Sequence, residues 1–237
     1  MNNIIQIIRR ELEENADAKT KNSFQRFFKE GVKCYGVKTG IVSGIAKKHW
    51  NEIKNKDKEE IFELCEELYS SDYTEDAFIV SSWGMNFKSF VKPEDLTTFE
   101  RWILKYVNNW AKCDGLCNHA VEDLIVKYPY KINELKKWAK SDNRWLRRGS
   151  AVSLIIPAKE GEFLKEAFEI SDILLIDGDD MVQKGYGWLL KEESRCHQKE
   201  VFDYVAKNKD KMPRTALRYA IELMSKDLRT KAMKKGF

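Results

Sequence analysis

An all-α chain of stacked helix pairs is what this sequence predicts, and three observations predict it. Apolar residues recur with helical periodicity through nearly every segment. The interruptions fall on residues that stop helices. Two segments 36 positions apart share one pattern of basic and small residues.

In chain order, Ile4, Ile5, Ile7, Ile8 and Leu12 form the first apolar stripe. Helical patterns follow from Asn22 to Phe28, Ile41 to Trp50, Ile61 to Leu68, Phe78 to Phe90, Phe99 to Val107 and Ala120 to Val126. Trp145 to Ile156, Phe163 to Ile170, Val182 to Leu190, Val201 to Val205 and Leu217 to Met224 continue the series. Breaks are expected at Tyr35-Gly36, Lys92-Pro93, Tyr128-Pro129, Pro157, Asp177 to Asp180 and Met212-Pro213. Caps are expected from Asp142 or Asn143 before Trp145, from Ser171 or Asp172, and from Thr74, Glu75 and Asp76 before Ala77. Alternating Val/Ile-rich runs bounded by turns are absent, which argues against strands.

Leu146 to Leu154 aligns with Val182 to Leu190. Arg148 and Lys184 are each followed by a glycine (Gly149, Gly185), and two residues further by a second small residue (Ala151, Gly187). Thr74 to Val80 falls in weak register at twice that offset. A period in the high thirties fits HEAT-like helix pairs. Such pairs stack into a curved α-solenoid with a concave basic groove, here expected as a single domain over residues 1–237.

Composition narrows the function classes. The 43% hydrophobic content is globular, and the longest strong apolar run, Ala151 to Ile156, is far too short to cross a bilayer. The N-terminus lacks the basic-then-apolar pattern of a secretory signal, and five cysteines without framework spacing favour a reducing cytoplasm. Cys113, Cys117 and His119 have metal-ligand chemistry but no second ligand pair at zinc-site spacing, so neither metal nor other cofactor is expected. The net charge of +4 is unevenly spread: from Val205 onward ten basic residues, Lys235 among them, stand against three acids. A polyanion partner suits that asymmetry, and so does a solvated helix face with a basic end.

Trp110, Asp114, Arg147, Arg148 and Trp188 recur at near-repeat intervals. Trp110 and Asp114 share one face of a helix, being four residues apart, although a core tryptophan beside an N-cap aspartate has the same spacing. Paired guanidiniums suit phosphate oxygens, but an exposed Arg-Arg pair is commonplace. Trp188 sits among two glycines, and a core role is again the ordinary one for it. Taken together, aromatic faces, a single acid and fixed cations suit a cationic, electron-poor ligand held beside phosphates. That is the chemistry of damaged DNA.

These residues resemble a known pattern. Asn143 to Ala151 is similar to the WLRR segment, and Gln183 to Ser194 to the KAIGW-x-LRE segment, of the AlkD-like DNA alkylation repair family, glycosylases made of HEAT-like repeats. Trp110 to Asp114 resembles the family's tryptophan-to-aspartate spacing. Gln25 to Lys29 with Tyr35 to Thr39 resembles the helix that reaches over the DNA. The resemblance implies that Asp114 is the catalytic carboxylate, Trp110 and Trp188 the aromatic walls, and Arg148, with Arg147 and Lys184, the phosphate-facing cations. It places Phe27 where the family often has a tyrosine near the lesion. Asn109 stands where a second tryptophan is frequent, and Gly185 where the family has alanine.

The resemblance further implies a monomer acting on double-stranded DNA that carries cationic N-alkylated purines, 3-methyladenine or 7-methylguanine. It implies a shallow cleft, with the charge of the base sensed largely through the sugar. A DNA-binding paralogue without catalysis and a protein-interaction α-solenoid are the alternatives.

Overall fold

A computed structural model describes residues 4–28 and 31–234. Lys29 of the N-terminal motif and Lys235 of the basic tail lie outside the described residues. Those residues are helical and contain no strand. No helix among them is long and apolar enough to cross a membrane. The chain forms two compact units, residues 1–123 and 124–237.

The first unit contains α1 (Ile4–Glu14), α2 (Ala18–Phe27), α3 (Thr39–Ile53), α4 (Lys58–Ser70), α5 (Thr74–Gly84), α6 (Asp95–Tyr106) and α7 (Trp110–Leu116). Helix α1 buries Ile5, Ile8 and Leu12, the three-four spacing of a single face. Helices α3, α5 and α7 pack successively in one row, and α4 packs against α5 and α6. Phe87, Phe99, Trp83 and Trp102 are wholly buried and form the aromatic core. A π-helical turn, Cys117–Val121, follows α7 and leads into α8 (Glu122–Lys127).

The second unit contains α9 (Ile132–Trp138), α10 (Arg144–Val152), α11 (Ile155–Lys159), α12 (Leu164–Leu174), α13 (Asp180–Glu193), α14 (Gln198–Asn208), α15 (Arg214–Ala220) and α16 (Lys226–Met233). Helices α10, α13 and α15 form its row, backed by α9, α12 and α14. Within each unit the helix pairs therefore stack as in an α-solenoid.

The small residues of the internal match sit where helices cross. A Cβ on Gly185 would lie 3.3 Å from Arg148 Cγ, and one on Gly187 only 2.8 Å from the Ala216 carbonyl oxygen. Glycine lets α13 approach α15 backbone to side-chain stem.

Three local expectations differ from the structure. The helix expected to run from Trp145 to Ile156 ends at Val152, and Pro157 lies inside α11. As the third residue of that helix its missing N–H would have had no intrahelical partner, so the helix tolerates it. Ser171 and Asp172 cap nothing. They lie within α12, whose N-cap position is Phe163 at φ +65°. Thr74, Glu75 and Asp76 are wholly buried, and Tyr73 occupies the N-cap position without a side-chain bond.

Those three residues have other partners. Glu75 accepts hydrogen bonds from the amides of Tyr35, Gly36 and Val37, at 3.1, 2.8 and 3.0 Å. The Asp76 carboxylate takes Arg9 Nε at 3.1 Å, and Thr74 donates its hydroxyl to the Lys33 carbonyl. Gly36, at φ +96°, gives the Asp17 amide its carbonyl at 2.9 Å, and any Cβ there would collide with the Asp17 carbonyl oxygen and the Lys21 backbone. Residues 35–37 are thus held from the core side by one carboxylate, with Thr74 holding Lys33 beside them.

Glu75→Ala leaves three amides unpaired, so we expect a loss of about 3–5 kcal/mol in urea unfolding. Glu75→Gln, which keeps an acceptor, should lose less. A loss under about 1 kcal/mol for alanine, against the ~1–3 kcal/mol penalty of each stranded buried group, would refute the role.

Glu193, the last residue of α13, is wholly buried with both carboxylate oxygens lacking a hydrogen-bond partner among the described residues. Burial first, and the nearby Glu166 charge second, push its pKa up to about 8. Below the unfolded value near 4.5 both states carry the proton and nothing is lost. As pH climbs towards 8 the fold resists an ionisation that the unfolded chain undergoes freely, which costs about 1.4 kcal/mol for every pH step of one crossed in that window. Glu193→Gln should therefore match the parent at pH 4.5 and exceed its stability progressively to pH 8, read as urea midpoints. An equal pH dependence in both proteins would contradict it.

Candidate functional site

In the first unit the site is built on α7. Asn109 caps this helix, its side-chain oxygen accepting from the Lys112 amide at 3.1 Å. Lys112 is only 2% exposed. Its ammonium reaches Asp72 Oδ1 at 2.6 Å and the Asp72 carbonyl at 3.1 Å. Asp72 takes the left-handed conformation, φ +64°, and also accepts from Asn108 Nδ2 at 2.8 Å. The chain between α4 and α5 therefore grips the first turn of α7.

Trp110 opens α7 and is half-buried, and Asp114 follows one turn later at 9% exposure. The helical spacing sets both on one face, as the sequence predicts. Phe27, 66% exposed, meets the Trp110 ring edge-on with centroids 5.7 Å apart. Phe28 is buried and stacks on the same indole at 5.4 Å, its plane inclined by 26°. The end of α2 is thus fastened to the start of α7 by aromatic contact, while α2 itself buries no residue. The structure brings Phe27, Trp110 and α7 together.

In the second unit Asn143 caps α10, accepting from the Trp145 and Leu146 amides at 2.8 and 3.1 Å. The adjacent arginines then diverge. Arg147 gives Nε to Asp177 at 2.7 Å and Nη1 to the carbonyls of Ser141 and Asp142, each at 2.9 Å. Its guanidinium braces the loops that precede α10 and α13. Arg148 is 5% exposed, lies against Gly185, and donates Nη1 to the Met181 carbonyl. It therefore binds α10 to the start of α13.

Lys184 is half-buried and pairs with Asp180 at 3.0 Å. Trp188 is half-buried and donates Nε1 to Glu192 at 3.1 Å. Burial alone would raise the Glu192 carboxyl, but the hydrogen bonds from Arg195 and Trp188 outweigh it and hold the group below its ordinary value. Trp188 is therefore oriented by a carboxylate that stays ionised at neutral pH.

The sequence did not single out Lys112 or Asp72, took Glu75 only for a cap residue, and included Phe28 only as part of the Gln25-to-Lys29 motif. Phe28 had a visible signal in its position beside Phe27. A surface-type Asp and a Lys in an amphipathic helix carry none. Of the metal-like trio, Cys113 and Cys117 are wholly buried, and burial pushes the His119 imidazole down.

Because Arg148 packs in the interior, Arg148→Ala should lose about 2–4 kcal/mol, combining a lost stem with an unpaired carbonyl. Lys184→Ala, which removes only a half-exposed pair, should change stability by about 0.5 kcal/mol or less. Equal losses in urea unfolding would show that Arg148 is not packed as described.

A search of the curated proteins gave no match. Among solved structures, a predicted DNA alkylation repair enzyme from Enterococcus faecalis is similar to this chain. The two superpose with a TM-score of 0.79 at 14% identity, covering 90% of this chain and 98% of the other. At that identity the likeness shows a shared fold. The family model for DNA alkylation repair enzymes matches residues 8–224, running through both compact units. With so much of its length matched, the chain belongs to the DNA alkylation repair enzyme family and has a role in the repair of alkylated DNA.

Proposed function

We propose that the protein is a DNA glycosylase. It would hydrolyse the N-glycosidic bond of positively charged N-alkylated purines, 3-methyladenine or 7-methylguanine, in duplex DNA. The observation that carries the reading is Asp114, a nearly buried carboxylate one turn from the half-exposed indole of Trp110, on a helix whose first turn is fixed by Lys112 and Asp72.

Alkylation at a ring nitrogen leaves the purine with a positive charge and makes it a good leaving group. When the C1′–N bond breaks, its electron pair goes to the base and cancels that charge, and cationic character passes to the sugar. A carboxylate beside the sugar stabilises that cation and orients a water towards C1′, as in sugar hydrolysis. The water oxygen bonds to C1′ and its proton leaves to solvent. Asp114 keeps its charge throughout.

Trp110 and Trp188 would hold the cationic nucleotide through their ring faces, each worth roughly 0.5–2 kcal/mol. Phe27 extends the aromatic surface beside Trp110 without offering a hydroxyl. Arg148, 5% exposed, would meet a phosphate oxygen only where the residue reaches solvent, and Lys184 with an ammonium already shared with Asp180. The hydrogen-bonding edges of Arg147 are largely committed to Asp177 and two carbonyls, so it would attract DNA mainly through its field. In this reading the chain acts as a monomer and a single functional domain, in the cytoplasm.

The direct test is to incubate the protein with methylated duplex DNA and measure free 3-methyladenine and 7-methylguanine. Asp114→Asn should cut release by about two or more orders of magnitude, the scale lost with one electrostatic stabiliser, while duplex affinity stays the same or rises. Equal release by variant and parent would refute the assignment. Salt-dependent DNA binding by a parent protein that releases no base would favour a non-catalytic DNA-binding protein instead.

A further inference from the structure

The charge asymmetry of the C-terminal region has a structural counterpart in residues other than the candidate site residues. From Lys207 to Lys234 nine basic residues face three acids, and one of those acids, Glu222, is paired with Lys191 at 2.9 Å. Lys207, Lys211, Arg214, Arg218, Lys226, Arg229, Lys231 and Lys234 all reach solvent.

Part of this charge is gathered by the backbone. Lys209 donates Nζ to the Lys234 carbonyl at 2.9 Å, and Arg214 donates Nη1 to the Met233 carbonyl at 3.4 Å. Those carbonyls end α16, where cations are favoured by the helix dipole. Both bonds draw cations from before and within α15 to the end of a helix that already carries Lys226, Arg229 and Lys234 on one face. That face, with Thr230 and Met233, lines a shallow depression of about 450 Å³. Its neighbouring acid, Asp227, makes no ion pair among the described residues. Like charges at this density repel one another, a cost removed when an anion binds.

The lining decides between polyanions. Among the described residues no aromatic side chain borders the depression, so those residues offer no platform for an unstacked base, and single strands are bound largely through such stacking. A cationic face without a stacking platform or a base-reading edge suits the phosphates of an intact duplex.

We propose that Lys209, Arg214, Lys226, Arg229 and Lys234 form a duplex-DNA docking surface. It adds sequence-independent affinity for undamaged backbone through residues other than those assigned to base release. This rests on the family's role in DNA repair, and binding to unmodified duplex reads it whether or not Asp114 catalyses anything.

The test measures binding of the full-length protein to an unmodified fluorescent duplex by anisotropy across a salt series. Lys226→Glu with Arg229→Glu should weaken binding about tenfold or more near 0.1 M salt and flatten the plot of log affinity against log salt by about two units, one for each lost phosphate contact. The neutral pair Lys226→Gln with Arg229→Gln, which spares the fold from charge reversal, should flatten it equally. Reversing two exposed lysines of the first unit, Lys47 and Lys54, controls for net charge and should leave the slope nearly as it was. An unchanged slope in both helix α16 variants would overturn the proposal. So would an equal loss in the Lys47 and Lys54 control, or a preference of the parent for single-stranded over duplex DNA that the α16 variants abolish.

Discussion

A buried carboxylate fixes the N-terminal part of this molecule. Glu75 lies at the start of α5, wholly out of water, and its oxygens accept three successive backbone amides from residues 35–37. A buried acceptor left without donors would cost about 1–3 kcal/mol, and the three amides remove that penalty. The same turn meets α2 through Gly36, whose carbonyl takes the Asp17 amide. Helix α2 buries none of its own residues. Its position therefore depends on this anchor at one end and on the Phe28–Trp110 stack at the other. Take away the carboxylate and Phe27 no longer has a fixed address.

Glu193 is the contrasting case. It is equally buried, on α13 of the second unit, yet no donor meets either oxygen among the described residues. Glu75 is held by donors, whereas Glu193 answers burial by keeping its proton to about pH 8. One buried acid contributes order and the other a pH-dependent weakness. The local donor geometry distinguishes them, since burial is the same in both.

How much of this was visible in the residues alone follows the same division. Helical periodicity located most of the helices, because burying one face leaves a three-four pattern that survives in any context. The short helices α7, α9 and α16 fell outside the expected segments. The two small residues that the offset of 36 brought out, Gly185 and Gly187, lie at helix crossings: a Cβ on Gly187 would collide with the Ala216 backbone, and one on Gly185 would press on the Arg148 stem. Polar residues were harder to place. Thr74, Glu75 and Asp76 have the composition of a cap, and their burial depends on Arg9, Lys33 and Tyr35 to Val37, which lie some forty or more positions earlier. Arg147 and Arg148 read as one pair, although neighbours on a helix point about 100° apart. One braces a loop on Asp177, and the other fills the space beside a glycine. Adjacent letters thus had separate structural fates that spacing cannot express.

The aromatic residues show how anchoring bears on recognition. A free indole on a surface must be ordered before it can hold a ligand, and immobilising a side chain costs about 0.5–1.5 kcal/mol. That is comparable to what one cation–π contact returns, so an unsupported tryptophan would gain little. Here Trp110 is already fixed by Phe27 and Phe28, and its helix by the Lys112–Asp72 pair. In the second unit Trp188 is fixed by its bond to the ionised Glu192. The ordering cost is met during folding, so in the proposed reading contact of these rings with a cationic nucleotide would be retained as binding. The same holds for a carboxylate that must stabilise charge in a transition state: its contribution depends on not having to move. In the proposed reading Asp114 meets that condition, because the first turn of the helix it stands on is held by the Lys112–Asp72 pair.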